Sequence, residues 1–180
     1  PSDAFLKGLK SVWYSSSISS VKPELSSVFV YKDQSDLVFV ATDSFRLAEK
    51  KIKIPSTVNI GDILIPYKNI PDILRVLENI SGNVTVLINK NLISFTSGEV
   101  YLVSRLIDGV FPDYRQIVPK SFITEVVVLK QDIINALKVS NIFSDKFNQV
   151  HLSVDPKGKM FSIQTKNSDI GENSTSVDSA

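Results

Sequence analysis

Side chains able to do covalent chemistry are few in this sequence. It has no cysteine and a single histidine, His151. A thiolate nucleophile, a disulfide, a thiolate zinc site and a two-histidine metal motif are therefore excluded. Asp43, Asp108 and Asp113 could form a carboxylate cluster for a hard divalent cation, which would make the protein a metal-dependent hydrolase. Ser19-Ser20-Val21-Lys22 fits the Ser-x-x-Lys pattern of an acyl-enzyme, but the motifs that accompany it are missing. His151 alternates with apolar residues in a β-rich run, as a structural histidine does. Asn79-Ile80-Ser81, Asn83-Val84-Thr85 and Asn173-Ser174-Thr175 fit glycosylation sequons, which matter only in a secreted protein. The sequence thus predicts no catalytic set, no metal and no cofactor.

Binding is the remaining kind of function, and charge limits it. Lys plus Arg number 20 and Asp plus Glu number 19, for a formal net charge of +1. The charges are spread evenly along the chain, which excludes a basic nucleic-acid wrapper and an acidic tail. Any contact with DNA must use a few placed lysines rather than a bulk positive field. A hydrophobic fraction of 43% supplies material for a core, yet no apolar run approaches the roughly 20 residues of a membrane helix. No secretory signal opens the sequence, which predicts a cytoplasmic protein. It starts with Pro1 rather than Met, as a processed or excised piece would.

The elements that must carry any site recur. Apolar residues fall at helical spacing from Asp3 to about Ser16 (Phe5, Leu6, Leu9, Val12, Trp13), from Tyr67 to Asn79 (Ile70, Ile73, Leu74, Leu77) and from Gln131 to Phe143 (Ile133, Ile134, Leu137, Ile142). Each stretch is followed by two β-rich runs around a polar turn: Val28–Tyr31 with Leu37–Val40, Val84–Leu87 with Leu92–Phe95, and Val150–Ser153 with Met160–Ile163. A third run, Phe45–Ile54 or Val100–Leu106, completes the first two units, whereas the last is expected to end in polar Gly171–Ala180. Extended runs Ile63–Ile65 and Val126–Leu129 precede two of the helices. The unit is strand, helix, three strands, repeated about every 65 residues, and such units cannot bury their faces alone. Paired units predict an α+β fold with helices inside and antiparallel sheets outside. Residues 1–121 hold two units, one domain, and residues 122–180 hold one, half a domain.

Two strings are specific. Ala41-Thr42-Asp43-Ser44-Phe45-Arg46-Leu47-Ala48 and Asp108-Gly109-Val110-Phe111-Pro112-Asp113-Tyr114-Arg115-Gln116-Ile117-Val118-Pro119 resemble the bacterial sliding clamp family, the beta subunit of DNA polymerase III. Lys22-Pro23-Glu24-Leu25-Ser26-Ser27 and the stretch Asn141–Phe147 resemble it more weakly, and all four fall in the family's order. The resemblance implies the DNA-clamp fold, built of repeated half-domains. It also implies that this chain is the middle domain plus the first half of the third, with the first domain and the end of the third lying outside the sequence.

It further implies a non-catalytic processivity factor whose ring encircles duplex DNA. Its pocket takes peptides of the Gln-x-x-Leu-Phe type from the polymerase III alpha subunit, the clamp loader and other clamp-binding proteins. The matching pocket positions are Leu25, Thr42, Ser44, Phe45, Arg46, Leu47, Pro112, Gln116 and Ile117. Phe45 replaces the family's histidine and Ser44 its glycine, and the family's pocket also draws on C-terminal residues that this sequence lacks. DNA-facing positions would be Lys7, Lys10, Lys68, Arg75 and Lys138, with Lys130 nearby. Ile142 and Phe143 resemble the apolar pair at the ring seam, where the full-length family forms a homodimer. A stand-alone peptide-binding module of clamp fold, without a DNA role, is the alternative reading.

Overall fold

The computed structural model describes residues 1–55 and 60–178. The chain divides into two compact units, Pro1–Tyr114 and Arg115–Ala180. The repeat arithmetic had suggested a division at 121/122. Among the described residues no helix is long and apolar enough to cross a membrane.

In the first unit, helix α1 spans Ser2–Val12 and α2 spans Ile70–Glu78. Pro71, in the first turn of α2, loses nothing, because its missing N–H would have had no helical partner there. Strands β1 (Ser27–Asp33), β2 (Asp36–Thr42), β3 (Leu47–Lys53) and β4 (Ile63–Pro66) form one sheet in the order β3-β2-β1-β4. Strands β5 (Thr85–Ile88), β6 (Leu92–Ser97) and β7 (Val100–Arg105) form a second sheet in sequence order. All named pairings are antiparallel.

The helices lie on the inner faces of both sheets. Phe5 of α1 meets Phe39 of β2 and Phe95 of β6 edge-on, each at 5.3 Å between ring centroids, the arrangement that aromatic quadrupoles favour. Leu9, Val12, Ile70, Ile73, Leu74 and Leu77 complete this core. At one end Ser2 Oγ donates to the carbonyls of Ile80 and Gly82, and at the other Trp13 stacks on Tyr67, so α1 and α2 run antiparallel. Gly8 is required by proximity: a Cβ there would overlap the Phe39 ring.

Strand β2 is buried on both faces. Leu37, Phe39 and Ala41 point toward the helices, while Val38 and Val40 lie in a second cluster with Tyr31, Leu64, Phe111 and Tyr114. The stretch after β7 thus folds back over the outer face of the first sheet.

The second unit holds α3 (Lys130–Ile142) and the antiparallel strands β8 (His151–Asp155), β9 (Met160–Asn167) and β10 (Gly171–Asp178), in the order β10-β9-β8. Three expectations are corrected here. The polar ending is a strand: β10 pairs with β9 along its whole length, from Gly171↔Asn167 to Asp178↔Met160. Its inward positions Asn173, Thr175 and Val177 include one apolar residue, too faint an alternation to read as a strand. The last two residues of that stretch, 179 and 180, lie outside the described residues.

Val126–Leu129 forms no strand and carries only an isolated bridge at Val128. The expected apolar stripe of α3 is not the buried one. Ala136 and Ser140 are buried and Ile133 partly so, while Leu137 and Ile142 are exposed. Small side chains let the helix sit close on Phe161 and Ile163, and that contact decided which face went in.

Candidate partner-binding site

The connection between β2 and β3 is a rigid tip built by hydrogen bonds. Asp43 Oδ1 accepts the amides of Phe45 and Arg46, each at 3.0 Å, and Oδ2 accepts Arg46 Nε at 3.1 Å. Thr42 Oγ1 donates to the Arg46 carbonyl at 2.7 Å and accepts the Ser44 amide. This is the aspartate and threonine turn chemistry by which short polar side chains replace ladder bonds. Slight burial pushes the Asp43 carboxyl up, but the two amides and the Arg46 guanidinium outweigh it and hold the group below its ordinary value. Ser44 sits at φ 76°, where a glycine would be unstrained. The result is a Phe45 side chain 98% exposed on a fixed support.

Below the tip the chain returns to the core. Leu47 packs, partly buried, on the cluster of Tyr31, Val40, Phe111 and Tyr114. Phe111 stacks on Phe29 at 5.0 Å, and Phe29 on Tyr31 at 4.9 Å. The Tyr114 hydroxyl donates to Glu49, 65 residues earlier in sequence. With that proton committed, Tyr31 donates to Tyr114 at 2.7 Å. Burial first, and then the Glu49 hydrogen bond, push the Tyr114 phenol far above its ordinary range. These bonds bring the two specific strings of the sequence together on one face of the first sheet. They also fix Pro112, whose carbonyl accepts the Tyr114 amide at 2.8 Å.

Of the expected pocket residues, Leu25, Thr42, Ser44, Phe45, Arg46, Leu47 and Pro112 belong to the first unit, and Gln116 and Ile117 to the second. Leu25 and Thr42 are buried, leaving Phe45, Leu47 and Pro112 as apolar surface there. Ile117 is exposed. Tyr31, Glu49 and the Phe29–Phe111 stack were not singled out in the sequence. Alternation in β1 and β2 carried a signal for them, since both faces of those strands are apolar.

The basic positions divide. Lys10 pairs with Glu78 and Arg75 with Asp72. Lys7, Lys68 and Lys138 are exposed, with no ion-pair partner among the described residues. Ile142 is exposed and Phe143 half-buried at the end of α3. Both oxygens of Asp43 are engaged in the turn, and among the described residues no group of three or more potential ligands could hold a metal ion.

Comparison with known proteins agrees with this geometry. Residues 1–113 match the family model described as DNA polymerase III beta subunit, central domain. The beta sliding clamp of Bacillus subtilis is 28% identical over 175 residues, covering 96% of this chain and 46% of the relative. That of Caulobacter vibrioides is 30% identical over 126 residues, covering 68% and 34%. The crystal structure of the sliding clamp from Bacillus subtilis superposes with a TM-score of 0.89 at 28% identity, covering 99% of this chain and 48% of that one. A sliding clamp from Pseudomonas aeruginosa bound to griselimycin gives a TM-score of 0.84 at 25% identity, covering 100% and 50%. The chain spans about half the length of the relatives it matches. It belongs to the DNA polymerase III beta subunit family, the beta sliding clamps.

Proposed function

We propose that the protein serves as the processivity clamp of bacterial DNA replication. In this reading the full-length protein closes as a homodimeric ring around duplex DNA in the cytoplasm. It does no covalent chemistry and tethers the polymerase III alpha subunit, the clamp loader and other partners through a peptide pocket. The observation that carries it is the joining of the two family strings. Leu47 lies on Phe111 and Tyr114, and Tyr114 is bonded to Glu49, which supports an apolar wall beside a fixed aromatic tip. Such a wall suits a Leu or Phe anchor, with polar groups at its rim to orient the peptide. The griselimycin complex of the Pseudomonas aeruginosa relative adds support for a ligand site in this family.

We assign to the pocket Leu25, Thr42, Ser44, Phe45, Arg46, Leu47, Pro112, Gln116 and Ile117. Lys7 and Lys68, exposed on the helix layer and with no ion-pair partner among the described residues, serve as phosphate contacts. Lys138 does the same, and Lys10 and Arg75 do so more weakly because Glu78 and Asp72 hold them. Contacts of this kind are independent of base sequence and sensitive to salt, and a ring that slides needs them weak. Ile142 and Phe143 are assigned to the ring seam. A titration with a Gln-x-x-Leu-Phe peptide, followed by amide shifts, tests the pocket. Shifts at Phe45, Leu47 and Ile117 are expected, and an unchanged spectrum there rejects it.

A further inference from the structure

We propose that Phe45 sets partner specificity at the tip: the peptide taken by the wall below carries an uncharged, apolar side chain two positions from its anchor. This rests on the peptide-pocket reading above and names the chemistry of the partner there.

A single exposed apolar side chain is ordinary on a protein surface. Phe45 differs in how it is held. Asp43 Oδ1 accepts the amides of Phe45 and Arg46, each at 3.0 Å, while Thr42 Oγ1 accepts the Ser44 amide at 3.1 Å and donates to the Arg46 carbonyl at 2.7 Å. These bonds join residues 42–46 to one another, so the tip is shaped within the hairpin itself. Ser44 is kept in a left-handed backbone at φ 76°, directly before a fully exposed aromatic ring. Both features are unfavourable in the free protein, and backbone strain of this kind collects at binding sites. A ring fixed in advance also loses little freedom when a partner covers it, so more of its apolar area converts to affinity.

Charge selects the occupant. Asp43 and Arg46 are the charged residues of the tip, and they neutralise each other, Oδ2 to Nε at 3.1 Å. An acidic partner residue would have to draw Arg46 away from Asp43. A basic one would have to draw Asp43 away from the amides it accepts. An apolar residue disturbs neither and removes the Phe45 ring from water. Spacing selects its place. Leu47 pairs with Thr42 at the end of the β2–β3 ladder, and Phe45 lies two residues beyond it. Two residues of extended chain span about 7 Å, which is also the separation of neighbouring side chains on one face of an extended peptide. An anchor on Leu47 therefore leaves the side chain two places away over Phe45.

Calorimetric titration of the 180-residue chain with Gln-x-x-Leu-Phe peptides tests the proposal. Leucine or aspartate is placed in turn at each x and directly after the phenylalanine, every one of which is two places from an anchor. Leucine at one of these positions is expected to bind the parent about tenfold more tightly than aspartate. In Phe45→Ser, a change at a fully exposed side chain, the preference should fall to about twofold, which closes a double-mutant cycle between ring and peptide. Leucine and aspartate binding the parent equally at all three positions overturns the proposal. The same leucine preference in parent and Phe45→Ser overturns it too, and in both cases the pocket itself still stands. A parent that binds none of the peptides overturns the pocket reading together with the proposal.

Discussion

The Tyr114 hydroxyl donates its proton to the Glu49 carboxylate and accepts one from Tyr31, closing a polar chain between the loop after β7 and the outer face of the first sheet. Tyr114→Phe keeps the ring and removes this chain. It is expected to lower unfolding stability by about 1–3 kcal/mol, the cost of leaving a charged acceptor without its donor, read from denaturant midpoints. A pH dependence should go with it. The folded phenol titrates above its ordinary value of 10.0, so its contribution is whole below about pH 10 and is lost as the pH rises beyond that, where the unfolded chain ionises first. Alkaline destabilisation should therefore be shallower in the variant than in the parent.

Gly8 faces Phe39 too closely for any side chain. Gly8→Ala gains helix propensity of about 1 kcal/mol, but overpacking against a fully buried ring costs about 1–3 kcal/mol. A net loss is expected, and thermal unfolding would reveal it. A rise in stability would mean that Phe39 moves aside at no cost.

How much was legible in the sequence follows from these two sites. The repeat, the helices and most strands could be read because Phe5, Leu9 and Val12, or Leu37, Phe39 and Ala41, keep strict helical or alternating spacing. Strand β10 could not, because its inward face holds Asn173 and Thr175 with only Val177 fully apolar. The orientation of α3 was set by the small residues Ala136 and Ser140, to which a search for apolar stripes gives no weight. At the candidate site the strings named the tip residues. The Tyr31–Tyr114–Glu49 chain depends on a fold-back across 65 residues, which no local pattern encodes.

Ser44 holds a left-handed backbone at φ 76° without a glycine. Ser44→Gly is expected to stabilise the chain by roughly 0.5–1 kcal/mol by removing that strain. The hydrogen bonds at Asp43 should persist, because they come from the amides of Phe45 and Arg46. A midpoint shift in thermal unfolding measures the gain, and a loss would mean that the Ser44 hydroxyl contributes more than the strain costs.

Buried Ser140 Oγ has no hydrogen-bond partner among the described residues, although the Ser140 carbonyl accepts Thr165 Oγ1 at 3.1 Å. Ser140→Ala should leave that backbone bond intact and raise stability by about 1 kcal/mol, since a desolvated hydroxyl is removed. Calorimetry of the variant would register this as a higher midpoint.

The central claim is that the tip and the wall beneath it receive a partner peptide. Fluorescence anisotropy of a labelled Gln-x-x-Leu-Phe peptide against the parent chain and the half-exposed site variant Leu47→Asp tests it most directly. The account predicts saturable binding to the parent and at least a roughly tenfold loss in the variant, the scale of a lost anchor contact. Equal binding to parent and variant, or to a scrambled peptide, would contradict it.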